Sequence, residues 1–264
     1  MKLKTLTSRT WGNVGYYLSF AGTRNQISAP KLVSHAEWLG YLERAFNKDG
    51  VRVLELGARA ESGAVRRPHF SHAKYVGFDF YAGPNVDVVG DAHRLSSYFN
   101  TDEKFDLIFS TAVFEHLYMP WVVAHEIQKM LKEGGYVFIE THFSYCSHER
   151  PWHFFQFSDA GLRSLFNSAL GFQLVDSGMC NPMRGYFSGQ ADEYLRFRPI
   201  NELYCHSAIL CKKTREVPDF EWSKCSMDDL VEGSRYPLPG EHGAEAFSGC
   251  VGRTGRAGAT WSRR

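Results

Sequence analysis

Val51–Gly63 reads VRVLELGARAESG, and the fold is decided there. Val51, Val53, Leu54 and Leu56 form a short apolar run with β-branched members, the pattern of a buried strand. Glu55 lies near its end. Gly57 follows at once, where the chain must turn sharply and let a ligand approach the backbone. The small-residue loop from Ala58 to Gly63 then leads into an expected helix from Ala64. Strand, glycine turn and helix start make a nucleotide site, because open α/β sheets bind ligands in the crevice beyond the strands' carboxyl ends. The pattern G-x-G-x-x-G is absent. Arg59 and Ala60 stand where further glycines belong, so a dinucleotide pyrophosphate fits poorly. Taken alone, the stretch reads equally as an ordinary tight turn.

Further strands follow. KYVGFD, Lys74–Asp79, ends in an acid about 20 residues beyond Gly57, the offset at which a carboxylate accepts hydrogen bonds from ribose hydroxyls. Val86 to Val89 is a third strand, followed by Gly90-Asp91-Ala92, where a carboxylate and a small residue can receive an adenine amino group. FDLIFS, Phe105–Ser110, is a fourth, and KEGGYVFIET, Lys132–Thr141, is a turn feeding a fifth. Gly171 to Asp176 and Leu203 to Cys211 supply a sixth and a seventh. Apolar strands alternating with helical patterns predict a doubly wound, parallel α/β sheet.

VLELGARAESG, YVGFDFYAGPNVDVVGDAHRL, FDLIFSTAVFEHLYMPWVVAHEIQKMLKEGGYVFIETHF and FQFSDAGLRSLF occur in this order over roughly residues 50 to 178. Together they resemble the successive motifs of class I S-adenosylmethionine-dependent methyltransferases, nearest to the small-molecule branch called type 11. The resemblance implies a Rossmann-like, seven-stranded, mostly parallel sheet with the last strand antiparallel. It implies S-adenosylmethionine as cofactor and methyl transfer to oxygen or nitrogen of a small molecule, a secondary metabolite or sugar. It places cofactor contacts at Glu55, Gly57 and Ala58 around the methionine end and the turn, at Asp79 with Phe80 beside the ribose, at Asp91 and Ala92 by the adenine, and at Ser110 and Thr111 on the crevice wall. The family's E-x-G-x-G-x-G keeps only Glu55 and Gly57 here, with a later Ser62-Gly63 pair. A second reading is a methyltransferase-like binding or partner subunit without catalysis. The reduced glycine loop favours that reading; the two acids, Asp79 and Asp91, oppose it.

Composition bounds the rest. The chain has 264 residues, 44% of them hydrophobic, and a net charge of +1, which gives no global field to draw in nucleic acid or an anionic membrane. Six cysteines without a C-x-x-C pair fit a reducing cytoplasm. No apolar stretch is long enough to span a bilayer. The expected organisation is an N-terminal arm or lid over residues 1–30, a methyltransferase domain over 31–212 with an insertion at 178–202 that covers the acceptor, and a C-terminal extension over 213–264, flexible from about 240. Partners are a small-molecule substrate, without nucleic acid or membrane; the oligomeric state is open, with a homodimer among the options.

Two stretches carry the candidate chemistry. STAVFEHLYMP, Ser110–Pro120, leaves the fourth strand at the crevice. It lacks the D/N-P-P-Y/F signature and the Pro-Cys nucleophile of base-modifying enzymes. Its His116 is a candidate general base, or Glu115-His116 braces the loop. ETHFSYCSHERPWHFFQF, Glu140–Phe157, follows the fifth strand and is dense in histidine and aromatic residues. His142 and His153 are further candidates for the base. His142, His148 and His153 as metal ligands are the alternative, but their spacing fits no zinc pattern and hard cations prefer carboxylates, so no metal is expected. Arg66, Arg67, His69 and His72 read as the solvated face of the helix after the glycine loop.

Overall fold

The computed structural model describes residues 27–60 and 63–230. These fall into two compact units. One comprises Ile27–Pro182 with Tyr204–Leu238, and Met183–Leu203 belongs to the other. The expected arm up to Gln26, Ser62 and the tail beyond Leu230 lie outside the described residues.

The larger unit starts with helix α1, Trp38–Phe46, followed by strand β1, Arg52–Leu56. Strands β2, Lys74–Asp79, and β3, Val88–Val89, come next, then β4, Phe105–Thr111, helix α2, Pro120–Met130, and β5, Leu131–His142. Helix α3, Asp159–Leu165, precedes strands β6, Phe172–Tyr186, and β7, Pro199–Lys213, and a short helix α4, Met227–Leu230. The seven strands lie in the order β3-β2-β1-β4-β5-β7-β6. The β1–β2, β1–β4, β2–β3 and β4–β5 pairs are parallel, and β7 runs antiparallel to β5. This is the doubly wound sheet that the apolar strand pattern predicts. Strand order reverses between β1 and β4, which opens the crevice at their carboxyl ends.

Alternation along the strands builds two cores. Val53, Leu107, Phe109 and Phe138 face α1, where Trp38 stacks on Phe138 at 5.1 Å between ring centroids. Leu54, Leu56, Ile108, Val137 and Ile139 face Val123 and Ile127 of α2 and Leu162 and Leu165 of α3. Ser158 caps α3, its hydroxyl accepting from the Gly161 N–H at 3.0 Å.

Two local expectations are corrected. The helix from Ala64 does not form. Gly63 takes φ +77° and only a 3₁₀ turn, Arg67–Phe70, follows. Pro68 cannot donate to a helix, and the segment is only a few residues long before β2 begins. Phe70 instead fills the space against Phe109, with centroids 5.5 Å apart. The basic residues of this segment remain partly solvated but sit on no helix, and two of them are paired. Arg67 bonds Asn85 and Asp87 and lies over the Tyr75 ring, and His69 Nδ1 sits 2.7 Å from a Glu43 oxygen. Helix α2 ends at Met130. The residues after it enter β5 through an irregularity in its pairing with β4, between Phe105 and Leu107. Within the smaller unit the Phe187 N–H donates to the Arg198 carbonyl at 3.0 Å.

Candidate active site

β1 delivers Gly57 to the crevice with φ +81°, a left-handed conformation in which a side chain is strained. A Cβ here would also lie 2.2 Å from Val113 Cγ2. The turn is fastened to β2: the N–H groups of Gly57 and Ala58 both donate to the Phe78 carbonyl, at 2.9 and 3.1 Å. Asp79, the last residue of β2, accepts from the Arg59 N–H at 3.1 Å and the Tyr81 N–H at 3.0 Å. The Gly90 N–H donates to the Asp79 carbonyl at 2.9 Å, so Asp91 stands one residue from the end of β2. The two acids and the glycine turn therefore share one edge of the sheet.

Asp91 accepts from the His93 N–H at 2.9 Å, and its carboxylate meets His93 Nδ1 at 2.7 Å. Burial opposes its charge, but these His93 contacts outweigh it and hold the carboxyl below its ordinary value. His93 Nε2 accepts from the Met119 N–H at 3.3 Å, which leaves the ring hydrogen on Nδ1, facing Asp91. Its ring stacks on Tyr118 at 3.9 Å. Ala92 opens the following 3₁₀ segment, which is moored to α2: Glu126 accepts from Ser96 N–H and Oγ–H at 2.7 and 2.6 Å. Phe80 projects into solvent, 61% exposed.

Two predicted residues are turned inward. Glu55 is buried, and its carboxylate is held by the Tyr75 hydroxyl and, at 3.2 Å, by Arg66. Burial pushes its carboxyl above the ordinary value, against the lowering effect of Tyr75, Arg66 and Asn85. The buried Ser110 donates from its hydroxyl to the Leu56 carbonyl at 3.0 Å, tying β4 to the end of β1, and Thr111 closes β4 beside it.

Beyond β4 and β5 the histidines converge. Glu115 is fully buried; its carbonyl accepts from the N–H groups of Phe154 and Phe155, at 2.8 and 3.1 Å, and pins the loop after β5. Its carboxylate receives the Thr141 hydroxyl, and Oε1 lies 2.7 Å from His142 Nδ1. Burial opposes the Glu115 charge, yet His142 and Thr141 bring its pKa below the ordinary value. His116 Nδ1 lies 3.0 Å from the Trp152 carbonyl, and its Nε2 lies 3.1 Å from His148 Nε2. His153 packs beside them, with ring centroids 4.5 Å from His148 and 5.7 Å from His116; burial, then those two rings, lower its pKa. His142, His116 and His153 thus come together, joined by His148. A shallow hollow of about 460 Å³ lined by Glu133, Gly134, Gln173, Lys212, Lys213 and Thr214 lies at the opposite end of β5.

Residues 33–176 match the family described as methyltransferase domain. The chain belongs to the S-adenosylmethionine-dependent methyltransferase family. No curated protein matches it. Among solved structures, it is similar to an S-adenosylmethionine-dependent methyltransferase from Archaeoglobus fulgidus at 17% identity, over 66% of this chain and 92% of that one, with TM-score 0.45. It is also similar to the 1,6-didemethyltoxoflavin-N1-methyltransferase of Burkholderia thailandensis, solved with its toxoflavin precursor and S-adenosylhomocysteine. That match has 15% identity, 67% and 76% coverage and TM-score 0.47. The magnesium protoporphyrin IX methyltransferase of Synechocystis, with bound S-adenosylmethionine, gives 14%, 66% and 76%, and 0.42.

The methyltransferase motifs thus bring Gly57, Asp79 and Asp91 to one edge of the sheet, but several supporting residues carried no sequence signal. Tyr75 and Arg66 reach Glu55 from separate elements, and His93 follows Asp91 as an ordinary polar residue. Only an acid followed two residues later by an amide donor hinted at the Asp91 turn.

Proposed function

We propose that this methyltransferase transfers its methyl group to the oxygen or nitrogen of a small-molecule acceptor, a secondary metabolite or sugar. The observation that carries the reading is the shared edge: the Gly57 turn, Asp79 and Asp91 locked together by backbone bonds, next to a wall of histidine and aromatic side chains. Asp79 would hold the ribose hydroxyls and Asp91 the adenine amino group, each with carboxylate lone pairs left over from its bonds to N–H groups. Phe80 would lie beside the ribose and Ala92 by the adenine, and Gly57 and Ala58 would hold the methionine end. Glu55, engaged by Tyr75 and Arg66, fixes the turn from behind, while Ser110 and Thr111 form the wall.

The acceptor binds toward His116, His142 and His153. S-adenosylmethionine, when bound, would supply an electrophilic methyl group on a sulfonium, and the acceptor's oxygen or nitrogen lone pair would have to be held in line with it. An alcohol's proton is taken up within this histidine group. The sulfonium is already a good leaving group, so alignment and exclusion of water supply most of the rate. The near-neutral charge and the aromatic loop favour a small acceptor over a polymer.

Calorimetry with S-adenosylmethionine tests the cofactor edge. Binding is expected in the wild type, weakened at least about tenfold in Asp79→Ala, equivalent to about 1.4 kcal/mol. Incubation with candidate alcohols and amines, read by mass spectrometry as gain of one methyl, tests the acceptor class. No binding heat in the wild type overturns the reading.

A further inference from the structure

His116 and His148 stand in an arrangement that their own chemistry does not satisfy. His116 Nδ1 lies 3.0 Å from the Trp152 carbonyl, and His148 Nδ1 lies 3.0 Å from the Cys146 carbonyl. A carbonyl only accepts, so each Nδ1 carries the ring hydrogen, and each neutral ring presents a lone pair at Nε2. Those two Nε2 atoms face one another at 3.1 Å. Lone pairs at that distance repel unless a positive centre lies between them.

We infer that His116 and His148, with Glu115 and His142, form a binding site for a divalent transition-metal cation of the zinc class. Two imidazole nitrogens on one tetrahedral zinc, each at about 2.0–2.1 Å from it, stand about 3.3 Å apart. The observed separation needs only a small adjustment. A backbone carbonyl on the other ring nitrogen is the usual device for fixing the tautomer of a metal-ligating histidine, and both rings have it.

A second, independent observation comes from the neighbours. Glu115 Oε1 and His142 Nδ1 are both buried and lie 2.7 Å apart as an ion pair, with no further hydrogen-bond partner for either atom. Ligand atoms of Glu115, His142 and His148 all lie within 4.8 Å of one another. A single shared proton between His116 and His148 would leave the Glu115 and His142 atoms as they are; a cation bound at His148 lies within reach of those atoms as well. Imidazole with one carboxylate selects zinc, cobalt or nickel over magnesium or calcium, which prefer oxygen. The spacing along the chain gave no warning, because His116 comes from the loop after β4 and joins the others only in the fold.

A second histidine–carboxylate group, His35, Glu140 and His206, is weaker. There the His35 ring already bonds Glu140 at 2.9 Å, and His206 Nδ1 is already met by the Asn181 amide at 2.9 Å.

The proposal narrows the acceptor end of the reading above, since His116 and His142 then serve as ligands rather than as bases. Its test does not require methyl transfer. Untagged full-length protein is stripped with chelator and dialysed against zinc sulfate, and bound metal is measured by mass spectrometry. In parallel, cobalt chloride is titrated and its visible absorption recorded. One equivalent of zinc and the intense visible bands of four-coordinate cobalt are expected. His116→Ala/His148→Ala should bind zinc about a hundredfold more weakly or worse, with S-adenosylhomocysteine binding retained as proof of folding. If that variant does not fold, His116→Gln is measured the same way, and the wild-type stoichiometry and spectrum stand independently of either. Substoichiometric zinc, an octahedral cobalt spectrum, or undiminished binding in a folded variant overturns the site. Loss of S-adenosylmethionine binding in the wild type, with zinc still bound, would instead sink the cofactor reading.

Discussion

The edge that carries Gly57, Asp79 and Asp91 and the histidine end lie next to each other on one sheet, yet their polar groups are handled in opposite ways. Asp79 already takes N–H bonds from Arg59 and Tyr81, and Asp91 from His93. At the histidine end, Glu115 Oε1, His142 Nδ1 and His153 Nε2 are buried without hydrogen-bond partners, and two Nε2 atoms face each other. A buried polar group left unpaired costs about 1–3 kcal/mol, so an edge of the first kind supports the fold while one of the second kind draws on it. The difference teaches where the molecule is preformed and where it is completed by what it binds.

The largest expected effect lies in the preformed edge. Gly57→Ala meets both the φ of +81° and the Val113 methyl, and should cost about 3 kcal/mol in urea unfolding. Adding Val113→Ala should recover the steric share but not the backbone share. Full recovery would mean that the turn is not strained, and the contrast would weaken.

Next comes Glu126, which moors the segment carrying Asp91. Its carboxylate accepts from Ser96 N–H and Oγ–H and from Lys129 at 2.6 Å. Burial opposes its charge, but these bonds bring its pKa below the ordinary 4.5. The folded value is thus below the unfolded one. The stabilisation is complete above about pH 4.5 and is lost as pH falls through the lower folded value. Glu126→Gln should cost about 1–2 kcal/mol at neutral pH. Urea titrations should find the gap to the wild type closing as the medium is made more acidic than that; a gap independent of pH would assign the effect to packing.

At the histidine end the sign should change. With chelator present, His148→Ala removes one of the two opposed lone pairs and should leave stability within about 0.5 kcal/mol of the wild type, or above it. A loss as large as that of Gly57→Ala would make this end structural and erase the contrast. The smallest effect belongs to Phe80, which is mostly exposed. Phe80→Ala should leave the melting temperature unchanged and weaken S-adenosylhomocysteine binding severalfold, about 1 kcal/mol of ring stacking.

Much of this was legible along the chain. The strand runs at Val53–Leu56, Tyr75–Phe78 and Leu107–Phe109 carry their own patterning, and each acid follows or ends a strand, so periodicity located Gly57, Asp79 and Asp91 at one edge. The helix after Gly57 was misread because composition alone did not weigh Pro68 against the short distance to β2. Glu55 looked like a ligand contact because nothing local announces Tyr75 and Arg66 closing over it.

What the sequence determined by itself was therefore the sheet, its polarity and the acids at its rim, because strand formation and turn chemistry depend on residues that are neighbours in the chain. What only the tertiary structure decided was the company those residues keep. His116 meets His148 across 32 positions, and Glu115 meets His142 and Thr141 across about the same span. Such contacts depend on β4 and β5 lying side by side, a pairing that no local spacing encodes.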